Sequence, residues 1–171
     1  MQFTVRKYRP EDFKTLWRID QACFPPGISY TAFELQAFLN HRGSFTLVAE
    51  AAHDAAPDRP SPDFNGSILG FLIAAYRRQA GHLITIDVRS EARRHRVGSA
   101  LLYAAESRLR LRHCEVVRLE TAVDNLAALS FYKRHAYSVT KVVPRYYSNR
   151  VDALVLEKKL LSAPPSDNLL E

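Results

Sequence analysis

Cysteine is scarce in this chain of 171 residues: there are two, Cys23 and Cys114, far apart in sequence and with no CxxC or Cys/His cluster around either. That excludes a disulfide scaffold and a zinc site as the basis of the fold, and no bound metal is expected. A reducing, cytoplasmic setting is the expectation. Long apolar runs are also missing. The longest, Ile68 to Tyr76, spans nine residues and contains Gly70, and the opening MQFTVRKYRPED has no stretch of signal-peptide length. Secretion and membrane spanning are not expected. Internal repeats are absent, and no composition shift divides the chain. Residues 1–161 therefore read as one domain, and the closing SAPPSDNLLE, residues 162–171, reads as a disordered tail.

What is present is ordinary for a globular domain, with 47% apolar and 25% charged residues. A chain of this length buries roughly 70% of its unfolded surface, enough for a full core. The charge is less ordinary. The 24 Lys and Arg against 18 Asp and Glu leave +6, which points to an anionic partner: nucleic acid, an acidic protein or a phosphorylated cofactor. Most of the excess lies between Arg89 and Arg118, where eight arginines face three glutamates. That concentration favours a local phosphate site over a dispersed nucleic-acid face, and no nucleic-acid recognition motif accompanies it.

Alternation of apolar and polar residues predicts a first strand over 2–8. Pro10 opens a helix carrying Phe13, Leu16, Trp17 and Phe24, which the prolines of Phe24-Pro25-Pro26 end. Thr31 and Glu34 form a capping box for a second helix, with Phe33, Ala37 and Phe38 as its expected buried stripe. Strands follow at 45–51 and 67–76, joined by a long, mobile loop over 52–66. A further strand runs from His82 to Val88. Helical spacing then covers Val97 to about Arg112, with Leu101, Ala105 and Leu109 on one face. Residues 115–122 read as strand, 124–135 as a helix capped by Asp124, and 137–143 and 153–160 as two closing strands. The order βααβββαβαββ is a mixed α/β sheet with packed helices.

The segment Ile84-Thr85-Ile86-Asp87-Val88 leads through Arg89-Ser90-Glu91-Ala92-Arg93-Arg94-His95-Arg96 into the helix at Val97-Gly98-Ser99. A helix start offers unpaired N–H groups and the positive end of the dipole, and Gly98 lets an anion approach the backbone. Arg93 and Gly98 match the signature Arg/Gln-x-x-Gly-x-Gly/Ala, and this stretch resembles the GNAT acetyltransferase superfamily. Arg96 stands where that signature has its first glycine. A second motif follows: Leu119-Glu120-Thr121 with Asn125, Ala127-Ala128, Tyr132 and Ala136-Tyr137, the last pair replacing the usual Gly-Phe.

The resemblance implies a mixed, mostly antiparallel twisted sheet of about seven strands flanked by about four helices. It also implies acetyl-CoA as cosubstrate. The backbone of Ile86, Asp87 and Val88 would pair with the pantetheine arm, that of Arg93, Arg94, His95, Arg96, Val97, Gly98 and Ser99 would hold the pyrophosphate, and Asn125 and Tyr132 would complete the cofactor site. Within the superfamily the chain is most similar to RimI-type ribosomal-protein N-terminal acetyltransferases. It shares with them the Leu-Glu pair twelve residues before Tyr132, the Phe24-Pro25 turn, and Tyr146-Tyr147 followed by Asp152-Ala153. An acceptor protein N-terminus, ribosomal in this reading, would lie among Phe24, Tyr30, Tyr146 and Tyr147.

Acetyl transfer to an amine needs a neutral amine, a donor to the developing oxyanion and a proton for the departing thiolate. An α-amine titrates near 7.7–8.0 and asks less of a base than a lysine near 10.4. Glu120 is the expected general base, acting through a water, and Tyr132 the expected general acid. The N–H of Val88 is the expected oxyanion donor, freed by a bulge at that position. His95, His113 and His135 read as surface residues, and Cys114 lacks a paired base. Two readings compete: acetylation of a small-molecule amine or lysine side chain, and a non-catalytic CoA-binding module, for which Arg96 is the argument.

Overall fold

The structure, a computed structural model, describes residues 1–52 and 67–160. Most of the expected 52–66 loop and the whole 162–171 tail lie outside them. Seven strands form one sheet in the order β1-β2-β3-β4-β5-β7-β6. They are β1 (Phe3–Lys7), β2 (Ser44–Ala51), β3 (Ile68–Arg77), β4 (Ala80–Val88), β5 (Val116–Ala122), β6 (Ser138–Val143) and β7 (Ala153–Lys159). The helices are α1 (Phe13–Cys23), α2 (Ala32–Asn40), α3 (Val97–Arg110) and α4 (Leu126–Arg134). Every strand pair is antiparallel except β4–β5, which is parallel. The expected sheet, its strand count and its four helices are all present.

Each face of the sheet carries its own core. Leu101, Leu102, Ala105 and Leu109 of α3 pack with Leu47, Leu72, Leu83, Val117, Leu119 and Leu156. On the opposite face Leu16 and Ile19 of α1 and Leu35 of α2 meet Val48, Phe71 and Ile73. The α3 stripe is the one its spacing predicts. The α2 stripe is rotated: Phe33 is 84% exposed, Ala37 is exposed, and Leu35 with Phe38 faces inward. Two phenylalanines flank a shorter apolar residue there, and hydrophobicity alone selects the wrong one. The helix itself begins as expected, with Thr31 Oγ1 accepting from the Glu34 N–H at 3.2 Å and Glu34 Oε2 accepting from the Thr31 N–H at 2.8 Å. The cap of α4 is Asn125, not Asp124: its Oδ1 accepts from the Ala128 N–H at 3.1 Å.

Two charged clusters hold the layers. Glu106 of α3 is buried and accepts from Lys158 Nζ of β7 at 2.8 and 2.9 Å and from the Tyr137 hydroxyl at 3.0 Å. Arg6 of β1 bridges Asp12 and Glu50 with paired bonds to both, at 2.7 to 2.9 Å. Burial pushes the Asp12 carboxyl up, but Arg6 and the Arg9 N–H outweigh it and hold it below the ordinary range. The Arg6 hydrogen bonds do the same for Glu50.

α4 ends in a Schellman motif, with Tyr137 N–H donating to Tyr132 O and Ala136 N–H to Lys133 O, both at 3.1 Å. Ala136 is therefore left-handed, at φ 65°, where only glycine is at ease.

Two outcomes test these contacts. A136G should raise stability by about 1 kcal/mol in chemical denaturation. R6M should cost about 3 kcal/mol by stranding two carboxylates. Depressed carboxyl pKa values add stability above the unfolded values, near pH 4, and that stability is lost as the pH falls through the folded values. Wild type should therefore lose stability steeply on acidification, and R6M should show a flatter acid limb.

Candidate active site

The site is made by an interrupted pairing. β4 and β5 align only at Ala80–Val116, Gly81–Val117 and His82–Arg118. Beyond His82 the strands part, while β5 stays paired to β7 along its whole length. The β4 edge facing the gap is thus left open. Arg89 N–H donates to Leu69 O of β3 at 2.9 Å, so by strand alternation the N–H groups of Asp87 and Arg89 turn to β3 and those of Ile86 and Val88 turn to the gap. This corrects two expectations. Asp87 pairs with Phe71 and offers no backbone to the gap. The β4 bulge lies at Ile84, skipped between the pairs Ile73–Thr85 and Ala74–Leu83, and not at Val88, which pairs with Gly70. Val88 needs no bulge, because the end of the parallel ladder already frees its N–H.

The gap leads to the start of α3. Unlike α2 and α4, this helix has no side-chain cap, so the N–H groups of Val97, Gly98 and Ser99 have no intrahelical partner and point outward. The turn before it holds two left-handed arginines, Arg94 at φ 67° and Arg96 at φ 64°. A Cβ on Gly98 would sit 3.4 Å from the Phe131 ring and 3.7 Å from Val88 Cγ2. The protein has room for that methyl group. The glycine leaves the α3 backbone bare where it faces Phe131 of α4 and Val88 at the end of β4.

Arg93 is exposed, as are its neighbours, but its guanidinium folds back over the end of β4. Its Nε donates to Val88 O at 3.1 Å and its Nη2 lies 3.8 Å from Cys23 Sγ, whose thiol donates to the same carbonyl at 3.5 Å. Arg94, His95 and Arg96 are exposed. His135 is half-buried, against expectation. Its Nδ1 donates to Phe131 O at 2.8 Å, which leaves Nε2 to accept from the Ser99 hydroxyl at 3.0 Å. Asn125 spends its carbonyl oxygen on capping α4.

At the apex of the gap, Glu120 Oε2 lies 2.6 Å from His82 Nε2. The pair joins β5 to β4 just where the ladder ends. Sequence reasoning found Glu120 and missed His82, whose only signal was one polar residue opening an apolar strand. Tyr132 of α4 is buried, edge-on to Phe131 and Tyr137 at 5.2 and 5.6 Å. Burial, and then the Asp87 charge, push its phenol up, so it holds its proton.

Tyr146 and Tyr147 stack edge-on at 5.0 Å in the segment between β6 and β7. Both phenols are pushed up, first by burial, with Glu120 adding to each. Across from them, the Tyr30 hydroxyl donates to Ile84 O at 3.3 Å, and Ser148 Oγ donates to Gly27 O at 2.8 Å. The segments after α1 and after β6 therefore meet over the gap. Phe24 caps α1 beside Cys23. A polar depression of about 310 Å³ beside Arg6, Glu50 and Arg89 holds none of the catalytic candidates.

Residues 13–137 match the Acetyltransferase (GNAT) family. The chain belongs to that family. Among curated relatives, an uncharacterized N-acetyltransferase of Methanocaldococcus jannaschii is 32% identical over 98 residues, 57% of this chain and 63% of that protein; the match thus spans less than two thirds of that relative. An N-alpha-acetyltransferase of Sulfurisphaera tokodaii is 24% identical over 160 residues, 93% and 94% of the two chains. Among solved structures, Ard1 from Thermoplasma volcanium superposes with a TM-score of 0.80 at 27% identity, covering 94% of this chain and 99% of its own. The ribosomal-protein-S18-alanine N-acetyltransferase from Escherichia coli shares the fold, with a TM-score of 0.77 at 18% identity over 99% and 100% of the chains. GNAT acetyltransferases use acetyl-CoA. The residues present fit that group: an open strand edge suits an amide-bearing arm, and an uncapped helix start suits a pyrophosphate.

R96G tests the turn. It should relieve about 1 kcal/mol of left-handed strain, seen as a melting temperature higher by roughly 2–4 °C. It should also raise the acetyl-CoA KM several-fold through loss of the guanidinium.

Proposed function

We propose that this GNAT enzyme acetylates the α-amino group of a protein N-terminus, with Glu120 as general base and Tyr132 as general acid. The observation that carries the reading is the 2.6 Å contact between Glu120 and His82 at the apex of the β4–β5 gap. A carboxylate at that point reaches an amine entering the gap, directly or through one water, and the imidazole gives the proton an exit towards solvent. The acyl donor, when bound, supplies a thioester carbonyl as electrophile. The N–H groups of Ile86 and Val88 line the gap, and Val88 is assigned to the developing oxyanion. Tyr132, kept protonated by burial, delivers its proton to the leaving sulfur. The α3 N-terminus and the Arg93–Ser99 turn hold the phosphates.

Three features support the α-amine over a lysine. An α-amine is substantially neutral near pH 7.5, so it suits one carboxylate base. Tyr30, Tyr146 and Tyr147 lie in the two segments that Ser148 and Gly27 join beside the gap, and an extended chain end is the acceptor assigned to the space they flank. Relatives of similar length include an N-alpha-acetyltransferase. The Leu119-Glu120 pair and Tyr146-Tyr147 extend the reading to a RimI-type enzyme acting on a ribosomal protein in the cytoplasm. No helix among the described residues is long and apolar enough to cross a membrane.

The test is acetyl-CoA turnover on a panel of peptides with varied N-termini, each also supplied with its α-amine blocked. Blocking should abolish the signal; undiminished turnover would point to side chains. E120Q and Y132F should each lower kcat by roughly 10²-fold, and H82Q by about 10-fold, with the acetyl-CoA KM little changed. Unchanged rates in E120Q and Y132F would refute the acid–base assignment.

A further inference from the structure

The mechanism leaves two buried acids unused. Asp87 of β4 is 1% exposed and Asp20 of α1 is fully buried. Each spends one oxygen locally. The Thr85 hydroxyl donates to Asp87 Oδ1 at 2.6 Å, while the Tyr30 N–H and the Gln21 amide donate to Asp20 Oδ2 at 2.8 and 3.0 Å. Asp87 Oδ2 and Asp20 Oδ1 have no partner among the described residues. Buried acceptors of this kind are rare in native proteins and call for an explanation. No described lysine or arginine bonds either acid. Arg93, whose charge acts to lower the Asp87 carboxyl, is committed to Val88 O and Cys23.

The two acids share one neighbourhood. Burial holds both carboxyls up, Asp20 to about 6, and the charge of Asp20 raises Asp87 further. Both also raise the Tyr30 phenol. Asp87 lies between Ile86 and Val88, the residues whose N–H groups line the gap, and its side chain is on the α1 side of β4. Tyr30, bonded to Ile84 O, covers that side. A neutral ligand with one donor would satisfy one free oxygen. A compact cation with several N–H donors carries enough of them for both, and the acceptor of this reaction is such a group before it loses its proton.

We propose that Asp87 and Asp20 form the subsite that binds the acceptor's primary ammonium on the α1 side of the gap, with Tyr30 as its cover. The carboxylates bind and orient the amine, and proton removal stays with Glu120. The proposal rests on amine acetylation as read above, but not on which amine is used.

The test is calorimetry on the CoA-loaded protein with three probes: a hexapeptide with a free α-amine, its N-acetylated twin, and the acetylated twin carrying one lysine. Wild type should bind the free amine at least 10-fold more tightly than the twin. D87N should reduce that ratio to about 2 or less while CoA affinity changes less than 3-fold, since the Asp87 backbone faces β3. D20N should reduce the ratio in the same direction, which keeps the test decisive if D87N fails to fold. A folded D87N or D20N that keeps the wild-type ratio overturns the subsite. If wild type prefers the lysine probe and D87N abolishes that preference, the subsite stands and the α-amine reading falls. If wild type prefers neither amine over the twin, the subsite falls.

Discussion

The early end of the β4–β5 ladder is the constraint on which the rest depends. A parallel pair normally continues as far as both strands do, because every unmet backbone group in a sheet costs free energy. Here three residue pairs suffice to join the halves, and the remaining edge of β4 faces open space. Packing holds the apex shut. A Cβ on Gly81 would come within 2.7 Å of Leu109, so α3 seats directly on the β4 backbone where the ladder begins. Further along, Glu106 ties the same helix to β7 and Tyr137. The gap is an opening between two half-sheets braced by α3, and its unsatisfied N–H groups are what an amide-bearing ligand completes.

The helix starts divide the labour in the same way. Thr31 caps α2 and Asn125 caps α4, so a side chain meets the first-turn N–H groups at those ends. α3 is left uncapped, preceded by a turn in which Arg94 and Arg96 are left-handed. Strain and unmet donors coincide at one place, as expected where local stability has been traded for binding. The buried carboxylates near β4 follow the same pattern on the other face.

Much of this was legible in the sequence. The α3 stripe, the Thr31–Glu34 box, the mixed sheet and the two motifs around Gly98 and Tyr132 are local patterns, set by residues close together in the chain. The failures are equally physical. The α2 face was misread because burial depends on what the helix meets, and Phe33 meets solvent. The Val88 bulge was misplaced because irregularity in a strand is decided by its partner's register. His82 and the Asp20–Asp87 pair were missed because their meaning lies in residues 38 and 67 positions away in sequence. Periodicity carries no information at that range.

The narrow ladder between the half-sheets also bears on how the chain is made. β2, β3 and β4 follow one another as antiparallel neighbours, and α1 to α3 cover both of their faces before β5 is reached. A chain emerging in order from its amino end can therefore build one nearly closed layer while its carboxyl third is still being synthesised. The last segments then add β5, β7 and β6 onto a three-residue seam, and the Glu106 carboxylate waits on α3 for the lysine of β7. The Glu106–Lys158 ion pair can form only once β7 is in place, which ties the half-sheet carrying Glu120 to the layer that precedes it in the chain.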